Sequence, residues 1–253
     1  MIRHSLTLLA AVAILSYLPG SAAVQTADEV VEKHLAAIGG RAALAKLTTR
    51  RAMGKVTITT PNGDISGPIE ISGKAPNKTR AVMNLDMSAL GLTDTMTLEQ
   101  KFDGIAGWTL NSLQGDSPIT GNQLENMRNG SFPSPLLTYK AAGSTLALLP
   151  RETVAGKEYL VLKLTPKAGS VVTMYFDPAS YQLMRSTATV KSPELGDLEQ
   201  VNEVSDYRDV GGIKVPFVVV NSNNLQRVTI RLDKVEHNVP MDDAIFAVKM
   251  PRP

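Results

Sequence analysis

Lys74-Ala-Pro-Asn-Lys-Thr-Arg80 leads into Ala81-Val-Met-Asn-Leu-Asp-Met87, and after a short loop Thr95-Met-Thr-Leu-Glu-Gln-Lys-Phe102 leads into Asp103-Gly-Ile-Ala-Gly-Trp108. Two period-2 runs lie inside this stretch. Ala81, Met83, Leu85 and Met87 share one face, against Arg80, Asn84 and Asp86 on the other. In the second run Met96, Leu98 and Phe102 oppose Thr95, Thr97, Glu99 and Lys101. Alternation of this kind marks half-buried antiparallel strands. The buried face is built from unbranched Met and Leu, side chains that adapt to irregular or varied apolar partners. The expectation is a sheet face that receives an apolar guest. Met also serves as a gap-filler in closed cores, so a filled interior is the plainer reading of the same residues.

Before this stretch the chain reads as helix. Thr26 and Glu29 have the spacing of a capping box, in which each side chain satisfies a free backbone N–H at the helix start. Ala27, Val30, Val31, His34, Leu35 and Ile38 follow 3.6-residue spacing and form one stripe. Gly39 supplies a left-handed exit, and Gly40 to Leu47 reads as a second short helix. After Thr48 the pattern turns to strands, beginning with Val56 and Ile58 against Thr57 and Thr59. Pro61-Asn-Gly-Asp64 is a hairpin turn signal. Strand-like runs then recur to His237 at intervals of about 8–12 residues. They are interrupted by a short helix at Asn122–Arg128 and by Pro133 and Pro135. The fold class expected is α+β, mainly antiparallel β: one curled sheet, an incomplete barrel of about ten or eleven strands. An N-terminal helix and lid helices would cover its apolar concave face.

A transmembrane barrel shares the strand spacing, but its outer face must be apolar. Here Glu99, Lys101, Arg227, Arg231 and Asp233 interrupt the outward faces. A charge at mid-bilayer costs about 2–4 kcal/mol, which argues against insertion.

The first residues of the 253 read as an export signal: Arg3, an apolar run Leu6–Leu18, then Pro-Gly-Ser-Ala-Ala23. Ser21 and Ala23 stand three and one before a cut after Ala23, the secretory pattern. The apolar run is shorter than the roughly 20 residues a bilayer span needs. The expected organisation is therefore a signal peptide, 1–23, removed on Sec export to the periplasm, and one domain, 24–253. Cysteine is absent, so neither a lipoprotein signal nor disulfide or thiolate chemistry is available. The formal charge of +2 falls to +1 with the loss of Arg3, and the charges are interleaved. Without a basic stripe interleaved with aromatics, nucleic acid is not an expected partner.

Several matching pieces then appear in order. They are Lys74-Ala-Pro-Asn-Lys-Thr-Arg80, Phe102-Asp-Gly-Ile-Ala-Gly-Trp108, Leu162-Lys-Leu-Thr-Pro-Lys167 and Phe176-Asp-Pro178. Asp206-Tyr-Arg-Asp-Val-Gly-Gly-Ile-Lys-Val-Pro216 and Asn238-Val-Pro-Met-Asp-Asp243 with Phe246 follow. Together they resemble the periplasmic outer-membrane lipoprotein carrier superfamily (LolA-like, with LolB and LppX relatives), nearest to its longer uncharacterised bacterial members. The resemblance covers nearly all of Thr26 to Pro251. It implies an incomplete barrel around an apolar cavity, lidded by helices, that carries the acyl chains of lipids or lipoproteins. In such carriers an Arg precedes the Pro of the first motif and hydrogen-bonds lid backbone. This chain has Ala75 there, so that latch is expected to be missing.

The lining expected for the apolar cavity is Met83, Leu85, Met87, Leu90, Leu92, Met96, Leu98, Trp108, Leu110 and Met127. Aromatic residues make up only 5% of the chain, with one Trp, which leaves few bulky side chains to fill a curled sheet. No catalytic residue, metal ligand set or cofactor is expected. His34 on the helix stripe reads as a packed, hydrogen-bonded imidazole, and His237 as a strand-end residue. Zinc needs three or four ligands, which two distant His without Cys do not supply. No Gly-x-Ser-x-Gly elbow occurs. Asp242-Asp243 suits the cap of a terminal turn. The function expected is a monomeric, non-enzymatic periplasmic carrier of acyl chains, with a transient membrane or envelope-protein partner. The alternative is an envelope scaffold or interaction protein with a filled core and no ligand.

Overall fold

A computed structural model of the chain describes residues 25–93, 95–192 and 196–248. The expected signal segment and its cleavage after Ala23 lie outside the described residues. The first helix forms as local chemistry dictates. Thr26 Oγ1 accepts from Glu29 N at 3.2 Å, while Glu29 Oε2 accepts from Thr26 N at 2.9 Å. This capping box opens α1 (Ala27–Ala37), which buries Val30, Val31, His34 and Leu35. The next helix, α2 (Arg41–Leu44), is a single turn, shorter than the expected Gly40–Leu47.

The chain then enters β1 (Thr49–Thr60), β2 (Gly63–Lys74), β3 (Lys78–Asp86), β4 (Thr95–Phe102), β5 (Gly107–Asn111) and β6 (Gly115–Ile119). Helix α3 (Gly121–Asn129) and a 3₁₀ turn at Pro135–Leu137 follow. The return is made by β7 (Thr145–Val154), β8 (Lys157–Thr165), β9 (Val172–Phe176), β10 (Leu183–Ser192), β11 (Gly196–Val210), β12 (Ile213–Ser222) and β13 (Arg227–His237). All described strands belong to one 13-stranded sheet, ordered β6-β5-β4-β3-β2-β1-β13-β12-β11-β10-β9-β8-β7. Every pairing is antiparallel, and β13 closes on β1 in the middle. One wing is read outward from β1, the segment containing α3 crosses to the far edge, and the other wing is read inward from β7.

Thirteen strands correct the expected ten or eleven. The short edge strand β6 carries no apolar alternation, since Gly115 to Pro118 are all exposed. The sheet is not closed, and its two edge strands carry Pro118 and Pro150. Proline has no N–H to offer a foreign strand, which protects such edges.

The strands also approach one another with little room. A Cβ on Gly67 would lie 1.7 Å from the Asn84 carbonyl oxygen, and one on Gly54 would lie 2.0 Å from that of Arg231. A register shift accompanies Gly54 in the β1–β13 pairing. The core has two clusters. In the larger, Val30, Val31, Leu35 and Leu44 of the helices meet Leu160, Leu162, Met174, Phe176, Ile213 and Val235. The smaller contains Val56, Ile65, Ile69, Leu85 and Met87, with Met83 and Met96 packed against it. At the C-terminal end Asp242 Oδ1 accepts from Ala244 N at 2.9 Å, the cap expected there. Asp243 pairs with Lys74 at 2.7 Å and Lys78 at 2.8 Å, which ties the tail to the β2–β3 turn.

Candidate functional site

Two adjoining cavities lie beside α3. The inner one is about 260 Å³ and is lined mainly by Leu164, Val172, Ala188, Val190, Pro135 and Tyr139. The outer one is about 690 Å³ and more polar, with Gln100, Asn122, Gln123, Gln200 and Met127 on its wall. Asn126, Val190 and Gln200 border both. Gln100 is on β4 and Gln200 on β11, well apart in the sheet order, so a shared wall requires the sheet to curl back on itself. In size the pair matches common small-molecule sites, ~300–1,000 Å³. A mainly apolar cavity adjoining a more polar one suits a ligand with one greasy and one hydrated end.

The lid over this space is held by amides. Asn122, Asn126 and Asn129 follow i, i+4, i+7 spacing and therefore share one face of α3. Asn122 Nδ2 donates to Ser170 Oγ at 2.9 Å and Asn126 Nδ2 to the same oxygen at 3.2 Å. Ser170 N donates to Asn126 Oδ1 at 2.7 Å, and Asn129 Nδ2 donates to Ala168 O at 2.6 Å. Ser170 Oγ passes its own hydrogen to Thr189 O on β10 at 2.9 Å. No residue of α3 is fully buried. The lid helix thus depends on a polar clasp to the β8–β9 turn, an arrangement that apolar periodicity does not signal. The Asn spacing was the available clue.

The rest of the crossing segment has its own fastenings. Phe132 N donates to Pro76 O at 2.7 Å, which joins the lid to the Lys74–Asn77 turn. Arg41 Nη1 donates to Leu137 O at 3.1 Å while its other nitrogens hold Glu32. An arginine therefore does reach lid backbone, from α2 rather than from the position of Ala75. Tyr139 donates its phenolic hydrogen to Asp28 Oδ1, and Lys140 Nζ stands 2.6 Å from Asp28 Oδ2. Lys140 and then Tyr139 hold the Asp28 carboxyl below its ordinary value, while burial and Asp28 push the Tyr139 phenol up.

Of the expected lining residues, Met127 borders the outer cavity. Leu85 and Met87 are buried in the smaller core cluster, with Met83 and Met96 against it, so this Met-rich face is packed. Leu98 is half-buried and pairs with Met83 across β3–β4. Leu90 and Leu92 lie in the β3–β4 loop and are exposed. Trp108 and Leu110 are opposite Lys101 and Glu99, and so point to the other side of the sheet from Met96 and Leu98. The physical reason is the β4–β5 turn, whose pairing of Phe102 with Gly107 exchanges odd and even positions between the strands. The residues that do border the inner cavity come from the far wing, chiefly Ala188, Val190, Leu164 and Val172.

Among the described residues, no cluster of three or more His, Cys, Asp or Glu could hold a metal ion. No helix among them is long and apolar enough to cross a membrane.

Solved structures superpose on this antiparallel sheet fold over most of its length. A LolA superfamily protein from Nitrosomonas europaea superposes with a TM-score of 0.57 at 12% identity, covering 88% of this chain and 98% of its own. The fold is LolA-like. A domain assigned to outer membrane lipoprotein sorting, from Vibrio parahaemolyticus, has a TM-score of 0.57 at 11% identity, covering 87% of this chain and 95% of that one. A DUF1329 family protein from Desulfovibrio piger gives 0.57 at 11%, covering 86% and 95%. At such identities the likeness establishes the LolA-like fold alone. No protein-family model matches the chain, and no curated protein does.

Proposed function

We propose that this chain is a periplasmic carrier that binds the acyl chain of a lipid or lipoprotein without chemical conversion. The observation that supports the reading is a mainly apolar cavity beside α3 that shares Asn126, Val190 and Gln200 with a more polar one. An acyl chain would lie against Leu164, Val172, Ala188 and Val190, with its hydrated end among Gln100, Gln200 and Asn122. Each buried CH₂ contributes about 0.8 kcal/mol, so affinity needs few polar contacts. Exit would require α3 to part from Ser170. The secretory pattern of Met1–Ala23 supports an envelope location, and the description of the Vibrio domain as lipoprotein-sorting supports the cargo class.

The packed methionine face favours a second reading, an envelope interaction protein that takes no ligand. Native mass spectrometry of protein purified from its own host separates the two. The carrier retains co-purified lipid and, once delipidated, binds a fluorescent fatty acid that Ala188→Phe excludes. Absence of both signals leaves the interaction protein.

A further inference from the structure

The two adjoining cavities beside α3 share a property beyond their polarity gradient: their walls carry no charge. Among the described residues that border them there is no Asp, Glu, Lys, Arg or His. The polar members are amides and hydroxyls, chiefly Gln100, Asn122, Gln123 and Gln200 in the outer space and Thr138 and Ser144 in the inner one. The one ionisable side chain among them, Tyr139, already donates its phenolic hydrogen to Asp28.

This neutrality is set strand by strand, because successive side chains point to opposite faces of a sheet. Gln100 borders the outer cavity while its neighbours Glu99 and Lys101 turn away. On that far face Glu99 meets Arg80 at 2.6 Å and Lys101 at 3.3 Å. On β11 Gln200 borders both cavities, whereas the preceding Glu199 is exposed and borders neither. The two charged residues of α3, Glu125 and Arg128, pair with each other at 2.6 Å, and Arg128 also donates to Ile105 O at 3.1 Å. Charges are thus present on each of these elements and are directed elsewhere.

A charged head entering this space gives up water without meeting an opposite charge, which is costly. Side-chain amides offer donors and acceptors together and so suit hydroxyl, ester or amide groups. The inner cavity, about 260 Å³, equals roughly nine waters at about 30 Å³ each, room for one tail rather than several. Resting on the carrier reading above, we infer that the ligand is a single-chain amphiphile with an uncharged, hydrogen-bonding head, of the monoacylglycerol type. Its tail lies against Val172 and Ala188, and its head lies between Gln100 and Gln200. A free fatty acid or an alkylammonium enters by the same tail and binds less tightly.

The test is calorimetry of the delipidated full chain with monodecanoylglycerol, decanoate and decyltrimethylammonium, each below its micelle threshold. It is run at about pH 8, where the decanoate carboxyl is ionised. Monodecanoylglycerol is expected to bind about tenfold or more tighter than either ion. Gln200→Lys places a cation where the two cavities meet, at an exposed position that tolerates it, and should shift the ratio about tenfold towards decanoate. Equal or tighter binding of either ion by the wild type overturns the inference and leaves the carrier reading standing. A ratio unchanged in Gln200→Lys also overturns it. Binding of none of the three by the folded protein removes the carrier reading itself, and this inference with it.

Discussion

Asn126 and Ser170 hold each other twice, Ser170 N donating to Asn126 Oδ1 at 2.7 Å and Asn126 Nδ2 donating to Ser170 Oγ at 3.2 Å. This reciprocal pair fixes α3 over the cavity. In Ser170→Ala the amides of Asn122 and Asn126 and the Thr189 carbonyl lose their shared partner. Asn122 and Asn126 are half-buried and Thr189 is exposed, so water can replace part of what is lost and the cost stays at or below about 1 kcal/mol. Much of that loss falls on the lid: amide hydrogen exchange of α3 should accelerate well beyond that of β1 and β8. Uniform acceleration across the sheet would show that α3 does not open separately.

Two substitutions separate core from cavity. Leu85 has no accessible surface and sits in the smaller cluster, so Leu85→Ala should cost about 2–5 kcal/mol in denaturant unfolding. It should leave fatty-acid affinity unchanged. Ala188→Phe should do the opposite, removing binding with little change in stability, because Ala188 borders empty space. Loss of binding in Leu85→Ala at full folding would return the ligand to the methionine face.

Gly67 is required for steric reasons. Its φ is ordinary, and what excludes a side chain is the Asn84 carbonyl oxygen 1.7 Å from any added Cβ. Gly67→Ala must push β3 away from β2, and the expected loss exceeds about 3 kcal/mol, beyond ordinary overpacking. A wild-type urea midpoint in this variant would refute the close approach.

Stability should fall on mild acidification. His34 is 5% exposed, and its pKa is lowered from 6.5 by burial, against a smaller opposing effect of the Tyr181 carbonyl. The unfolded chain therefore binds a proton more readily than the folded one. The contribution is complete above the unfolded value of about 6.5 and is lost as pH falls from there towards the lower folded value. His237 is shifted in the same direction. Melting temperature should drop between about pH 7.5 and about pH 5.5, and His34→Gln should flatten that slope. An unchanged slope in the variant would move the proton uptake elsewhere.

Local features of this fold were legible in the chain. The Thr26–Glu29 box, the α1 stripe and the Pro61-Asn-Gly-Asp64 turn act over a few residues, and their chemistry is complete in sequence. The site was less legible because it depends on which strands face each other. Met83, Leu85 and Met96 were read correctly as one apolar face, but whether such a face is packed or vacant depends on Val56, Ile65 and Ile69 arriving from β1 and β2. Trp108 and Leu110 face away from Met96 and Leu98 because one turn exchanges odd and even positions, a register that the alternation alone does not reveal. Ala188 and Val190 carry no signal by themselves. They border a cavity only because α3 is drawn across from the opposite edge.

The pairing of β1 with β13, Arg50 beside His237 at one end and Thr59 beside Arg227 at the other, brings together the first and last described strands. A chain emerging from its N-terminus can build β1 to β6 as successive hairpins, yet one flank of β1 stays bare until the final strand is delivered. Vectorial synthesis thus exposes a twelve-residue template for stray β-pairing. Any truncation ahead of Arg227 would make that exposure permanent.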